Sequence, residues 1–280
     1  MSVVERTWQG AAKLVNPAKP MRWGAFYVAE FRIKGMLKWW DAIIAFGLGN
    51  PVLYLLSIGI GIGALVDKGS GGTGIDAVPY LTFLAPALLA TAAIQGAMDE
   101  VTFPTIEGFV WNKTFYSINA TAITGRQIVH GIMLAAMARC LIQVTLYELI
   151  LVAFGAMPLS SIPVLTVASA LAGFGFAAVM LSVTVFIKDD DGFFAIVGRF
   201  VLTPMFMFSG TYFPLATLPI YLQWIGWISP VWHSTDLGRA LSYGADVPLW
   251  LVLVHVAVPL ALGAVGLLTA YPQFEKRLAE

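Results

Sequence analysis

The chain has 280 residues, of which 59% are hydrophobic and 11% charged, with 16 basic and 16 acidic side chains and a mean hydropathy of +0.81. This balance excludes an ordinary soluble domain. The length leaves room for one compact membrane domain but for no large soluble one, and no nucleic-acid partner is expected.

Residues 1–41 form a polar N-terminal segment. Charges are scattered through it and no uninterrupted apolar core precedes Ala42, so it does not read as a secretory signal. Trp23, Phe26, Ile33, Leu37 and Trp40 recur at helical spacing, interrupted by Glu30, while Lys34, Lys38 and Asp41 fall on another face. The pattern predicts an amphipathic helix lying in the membrane interface, where Trp and Lys settle. A plain juxtamembrane anchor fits the same residues.

Six apolar runs follow, at Ala42–Val66, Pro79–Met98, Ile128–Phe154, Ile162–Phe186, Phe193–Phe213 and Leu249–Tyr271. About 20 apolar residues span a hydrocarbon core of about 30 Å. Continuous runs predict helices, since backbone groups in lipid need internal partners and a β-barrel would alternate instead. The expected fold is an all-α polytopic membrane protein. Its six-helix transmembrane domain covers residues 42–271, and a tail covers 272–280.

The connections carry the next signals. Asp67–Val78 is a glycine-rich external loop, and no G-x-x-x-x-G-K-[ST] phosphate loop occurs there or elsewhere. If ATP is used, another subunit must bind it. The loop at 99–127 is unusually long for a compact domain. In it Pro104 can start a helix, and Trp111, Phe115, Ile118 and Ala122 then repeat at helical spacing. Such a helix fits either a groove on a cytoplasmic partner or the membrane surface. Asp189, Asp190 and Asp191 form an acidic turn that reads as solvated rather than metal-binding. The segment at 214–248 is external yet apolar, and predicts two short re-entrant helices broken at Pro219 and Pro230, with Trp224, Trp227 and Trp232 at the interface.

Three charges fall within spans: Arg139, Glu148 and Arg199. Each costs about 2.5–3.5 kcal/mol at membrane depth and needs a partner or water. Arg139 and Glu148 are nine positions apart, so they point to opposite sides of one helix. Each of the three charges fits an interhelical bridge or a polar pathway, and Arg199 also fits snorkelling. No catalytic constellation stands out: His130, His233 and His255 lie on three different segments, and the one cysteine, Cys140, lies in a span. Lys and Arg gather on the side of both termini, which puts those termini in the cytoplasm.

Two motifs together resemble a known family. Phe208, Ser209, Gly210, Phe213, Pro214, Leu218, Pro219, Pro230, His233, Asp236 and Arg239 follow the order F-x-S-G-x-x-F-P, L-P, P-x-x-H-x-x-D-x-x-R. Lys113–Tyr116, Ala120, Thr121 and Gly125–Gly131 are similar to a K-T-Y…A-T-P…I-V-x-G segment, with Ala122 where a proline is usual. Both patterns resemble type-2 ABC exporter permeases, closest to the nodulation protein J-like branch of lipo-oligosaccharide and polysaccharide exporters.

That resemblance implies a dimeric permease of the bacterial inner membrane, with a second permease copy or homologue and a pair of cytoplasmic ABC ATPase subunits. ATP and Mg would be held by the ATPase, with no cofactor and no catalytic site in this chain. It makes Glu107, Trp111, Lys113, Phe115 and Ile118 candidate ATPase contacts on a coupling helix. It makes Arg139, Glu148, Arg199, Phe208, Tyr212, Phe213, Trp224, Trp227 and Trp232 candidate pathway residues. The implied cargo is amphipathic, a lipid-linked saccharide or glycolipid moved outward. Alternatives are export of a drug or other hydrophobic small molecule, and an ATP-independent secondary transporter, for which Glu148 alone offers a mid-membrane carboxylate.

Overall fold

The structure, a computed structural model, describes residues 18–188 and 192–280. The acidic turn Asp189–Asp191 and the basic residues Arg6 and Lys13 lie outside the described residues. Among the described residues the chain is helical with no strand. The helices are α1 (Ala18–Met36), α2 (Trp40–Tyr54), α3 (Gly63–Gly69), α4 (Tyr80–Val101), α5 (Phe103–Ile106), α6 (Thr114–Asn119), α7 (Gly125–Ala153), α8 (Ile162–Thr184), α9 (Phe193–Val197), α10 (Thr203–Phe208), α11 (Ile220–Ile228), α12 (Pro230–Tyr243) and α13 (Leu249–Ala279). Three π-helical turns join short helices into longer ones, at Leu55–Ile62, Glu107–Trp111 and Gly198–Leu202.

Five helical runs among the described residues are long and apolar enough to cross a membrane: Ala18–Gly69, Tyr80–Trp111, Gly125–Ala153, Leu159–Thr184 and Leu249–Ala279. The protein is therefore an all-α, multi-pass membrane protein. The remaining apolar segment, expected as a span at Phe193–Phe213, is helical only over Phe193–Phe208. At 1.5 Å per residue that is about 24 Å, shorter than the hydrocarbon core.

α4 is the central post. Its most apolar window is 78% buried, against 22% for α13, which turns Leu249, Leu253, Leu260, Val265 and Leu268 outward. α4 packs on α7, α8 and α12, and α8 packs on α13. Lipid tails are as apolar as leucine, so helices here associate through close packing rather than through hydrophobic exclusion. The α8–α13 seam shows this: a Cβ added at Gly175 would lie 2.6 Å from the carbonyl oxygen of Pro259, and one at Gly266 would lie 2.3 Å from the carbonyl carbon of Ala178. Only glycine lets the two backbones approach so closely.

The N-terminal stripe turns out differently from a packing face. α1 docks on α7 with Gly24 against Gln127 and Val28 against Gly131, while Trp23, Phe26, Leu37 and Trp40 stay exposed. α7 begins at a reciprocal cap in which Thr124 accepts from Gln127 N–H and the Gln127 side chain accepts from Thr124 N–H. The same Gln127 side chain donates to the Met21 carbonyl at 2.7 Å, tying that cap to α1.

Candidate functional site

At the end of the bundle carrying α1, α5 and α6, the expected helix across Trp111, Phe115, Ile118 and Ala122 is not continuous. α4 breaks at Thr102, and α5 runs into the π turn at Glu107–Trp111. That turn closes with Asn112 N–H on the Glu107 carbonyl at 2.9 Å, and Lys113 then adopts φ 52° before α6 starts. The break corrects the reading of Trp111 and Phe115 as one face. Trp111 is 57% exposed, with Glu107 and Lys113 also exposed, whereas Phe115 is fully buried and Ile118 half-buried.

Phe115 sits in an aromatic cluster with Phe109 (centroids 5.0 Å apart) and Phe274 of α13 (5.9 Å). The Arg277 guanidinium covers the Phe109 ring at 4.3 Å and donates to the Val185 carbonyl beyond the end of α8. Arg32 of α1 ties the other side. Its Nε donates to Glu100 Oε1 at 2.8 Å, and its two terminal nitrogens donate to the carbonyls of Pro104 (2.6 Å) and Glu100 (2.7 Å). Both members of this ion pair are buried. The segment at 103–119 is therefore fastened to α1, α8 and α13 and shows solvent a small face of Glu107, Trp111 and Lys113.

Two of the three charges inside the spans have partners on neighbouring helices. Arg139 Nη2 of α7 pairs with Asp99 Oδ2 of α4 at 2.9 Å. Glu148, buried on the opposite side of α7, has Oε1 2.8 Å from the Thr166 hydroxyl of α8, while its Oε2 is buried without a partner among the described residues. Arg199 lies on the π turn at Gly198–Leu202 and is exposed, with no ion pair among the described residues.

The opposite end holds the second motif, and it is an anchor. Gly210 takes φ 72°, which an L side chain rarely adopts, and this turns the chain after α10. Its carbonyl accepts from Arg239 Nη2 at 2.8 Å. Arg239 also donates to the Phe83 carbonyl of α4 (3.3 and 3.4 Å), lies 3.7 Å from the Phe83 ring centroid and pairs with Asp236 at 3.3 Å. Burial pushes the Asp236 carboxyl up, and the Arg239 guanidinium opposes that shift. Ser234 donates to the Ala168 carbonyl of α8 at 2.8 Å. His233 bonds His255 of α13 through the two Nδ1 atoms at 2.8 Å, and its Nε2 lies 2.9 Å from the Trp227 carbonyl. α12 thus grips α4, α8, α13 and the end of α10 at once.

Among the pathway candidates here, Tyr212 accepts from the Tyr54 hydroxyl at 2.6 Å, joining this cap to α2, and Phe208 and Phe213 are half-buried. Trp224 and Trp227 are exposed on α11. Trp232 departs from the interfacial expectation: it is only 9% exposed, its ring against those of His233 and His255. Reasoning from spacing missed His255, because its partner lies on another helix and a contact of that kind leaves no periodic mark. No cluster of metal-ligating residues occurs among the described residues.

The chain is a multi-pass helical bundle with a cap of two short helices at one end and a fastened helical segment at the other, and the family it matches makes it a transport permease. The chain belongs to the ABC-2 type transporter family, whose model matches residues 26–243. Membership implies partnership with an ABC ATPase subunit. The chain is similar to Nodulation protein J of Sinorhizobium fredii (strain NBRC 101917 / NGR234), with 31% identity over 246 residues, 87% of this chain and 88% of that protein. It is similar to Nodulation protein J of Rhizobium leguminosarum bv. viciae, with 30% identity over 249 residues, 86% and 89% of the two chains. The protein of that name from Rhizobium meliloti (strain 1021) is 28% identical over 261 residues, 92% of each.

Proposed function

We propose that this chain is the membrane subunit of an ATP-driven exporter in a bacterial inner membrane. It would work as a dimer with two ATPase subunits, both termini cytoplasmic, and move a lipid-linked saccharide or glycolipid outward. The cargo class is supported by the likeness to proteins named for nodulation and by the motif resemblance to lipo-oligosaccharide exporters.

The observation that carries the mechanism is the fastening of the segment at 103–119. Its exposed Glu107, Trp111 and Lys113 form the surface offered to the ATPase, and its buried Phe115 and the Arg32 ion pair join it to α1 and α13. A displacement imposed there by ATP-driven closure of the partner subunits passes to helices rather than to a loose loop. Coupling of this kind needs two arrangements whose balance both ATP and cargo bias.

The test is co-purification of the tagged chain from its native membrane, followed by vanadate-sensitive ATP hydrolysis. Wild type is expected to bring down an ATPase. A Trp111→Ala, Lys113→Ala variant is expected to keep its unfolding transition while losing cargo-stimulated hydrolysis. Absence of any ATPase with intact wild-type protein would overturn the reading and favour a self-contained transporter.

A further inference from the structure

Beside the coupling segment, α1, the start of α2, α4 and α7 enclose a cavity of about 920 Å³. That is the size of a small-molecule site. Its polar groups converge from two helices. Asp99 lies on its wall, accepting from Gln95 Nε2 at 2.9 Å and from Arg139 Nη2 at 2.9 Å. Arg139 Nε is buried and has no partner among the described residues, so the guanidinium keeps a donor that they do not use. One turn further along α7, the half-buried Gln143 has no hydrogen-bond partner among the described residues. Trp39, 69% exposed, stands at the rim.

The balance of charge on these walls limits what fits. Arg32 is paired with Glu100, Lys34 with Glu30 and Arg139 with Asp99. Lys38 and Glu107 are left, with Glu107 also accepting from Asn112 at 2.5 Å; Glu30 is not on the wall, so the surplus there is one exposed lysine, while both guanidinium groups are held by carboxylates. A phosphate or sulfate site needs an excess of guanidinium or backbone N–H donors, and a cationic site needs the reverse; this cavity has neither. Carboxamides and a spare guanidinium N–H instead suit hydroxyl and acetamido groups, which both donate and accept. An indole at the rim suits the apolar face of a pyranose ring. Phe31 is an exposed apolar side chain on the wall, and Leu37 and Trp40 are exposed just outside it, suited to an acyl chain.

We propose that this cavity receives the uncharged saccharide head of a glycolipid, with Gln95, Gln143 and Arg139 bonding the head and Trp39 stacking on it. The assignment rests on the exporter reading for its cargo class and adds the place and the charge preference of the head.

The experiment uses the full chain with its co-purified ATPase in detergent-free nanodiscs. Two photoreactive probes are compared, dodecyl maltoside and dodecyl phosphate, each with a diazirine on the alkyl chain near the head. The maltoside is expected to label peptides covering residues 92–101 and 136–146. That labelling should fall at least fivefold in Gln143→Leu and in Trp39→Ala, the latter an exposed residue whose loss leaves folding intact. Equal or stronger labelling of the same peptides by dodecyl phosphate would overturn the neutral-head preference. Labelling confined to the outward face of α13, or unchanged in both variants, would overturn the site. Co-purification of the ATPase is scored on the same samples, so failure of the exporter reading is seen separately from failure of the site.

Discussion

His233 and His255 share one hydrogen bond between their Nδ1 atoms, and its direction is set from outside the pair. The Trp227 carbonyl can only accept, so His233 carries its proton on Nε2. In the neutral ring Nδ1 is then the acceptor, and His255 Nδ1–H is the donor. A second proton on His233 would set two donors face to face until His255 moved its own proton to Nε2, which has no partner among the described residues. Burial favours the neutral ring, which pushes the His233 value below the ordinary one near 6.5.

The sign of the pH effect follows. The unfolded chain takes up this proton at higher pH than the folded one, so the contribution is present above about pH 6.5 and is lost as pH falls below it. Wild type is expected to unfold at lower temperature at pH 5.5 than at pH 7.5. His233→Gln is expected to show a smaller difference between the two. His255→Leu leaves His233 Nδ1 without a partner and is expected to cost about 1–3 kcal/mol in a mixed-micelle denaturation series. A His255→Leu protein as stable as wild type would remove the pair from the account of the cap.

Arg32→Met strands the buried Glu100 carboxylate and empties the Pro104 carbonyl of its donor. The expected loss is about 3–5 kcal/mol, as for a broken buried ion pair. The double variant Arg32→Met, Glu100→Met is expected to recover much of it, since both charges then leave together. A double variant no better than the single one would show that the carbonyl contacts, not the charge pair, fasten α1.

Lys113 is a β-carbon-bearing residue at φ 52°. Lys113→Gly is expected to fold at least as well as wild type, whereas Lys113→Val is expected to lose about 1–2 kcal/mol. Thermal unfolding of the two variants side by side distinguishes them.

Gly266→Ala places a methyl group against the α8 backbone at Ala178 and Val179. The expected cost is about 1–3 kcal/mol from overpacking. Leu268→Ala, on the outward face of the same helix, is expected to change stability far less. Denaturation of both variants in the same micelle checks the contrast.

The helical class and the positions of several long helices were legible because a bilayer demands long apolar runs, and those runs are written in composition. Arg139 and Glu148 were legible as opposed charges needing partners, but Asp99 and Thr166 were not legible as those partners. Contacts between helices depend on rotation and tilt, which no spacing within one helix records. The break at Lys113 was hidden for a different reason. Lysine carries no marker for a left-handed turn, and the aromatic spacing from Trp111 to Phe115 imitates a continuous helix. The re-entrant motif was visible as an ordered set, but its buried, gripping role emerged only with Phe83, Ala168 and His255 in place.

The three π turns divide the molecule mechanically. A π turn stores one surplus residue, its N–H groups reaching back to carbonyls five residues earlier rather than four. That one residue offsets the helix after it by about 100° from the phase of an unbroken α-helix, one residue's share of a 3.6-residue turn. The turns fall at Leu55–Ile62, Glu107–Trp111 and Gly198–Leu202, whereas α8 and α13 are locked backbone to backbone at Gly175 and Gly266. The protein is thus a close-packed keel flanked by helices whose phase is reset part-way. The first run and the α9–α10 segment meet at the Tyr54–Tyr212 bond with faces that an unbroken α-helix would turn elsewhere.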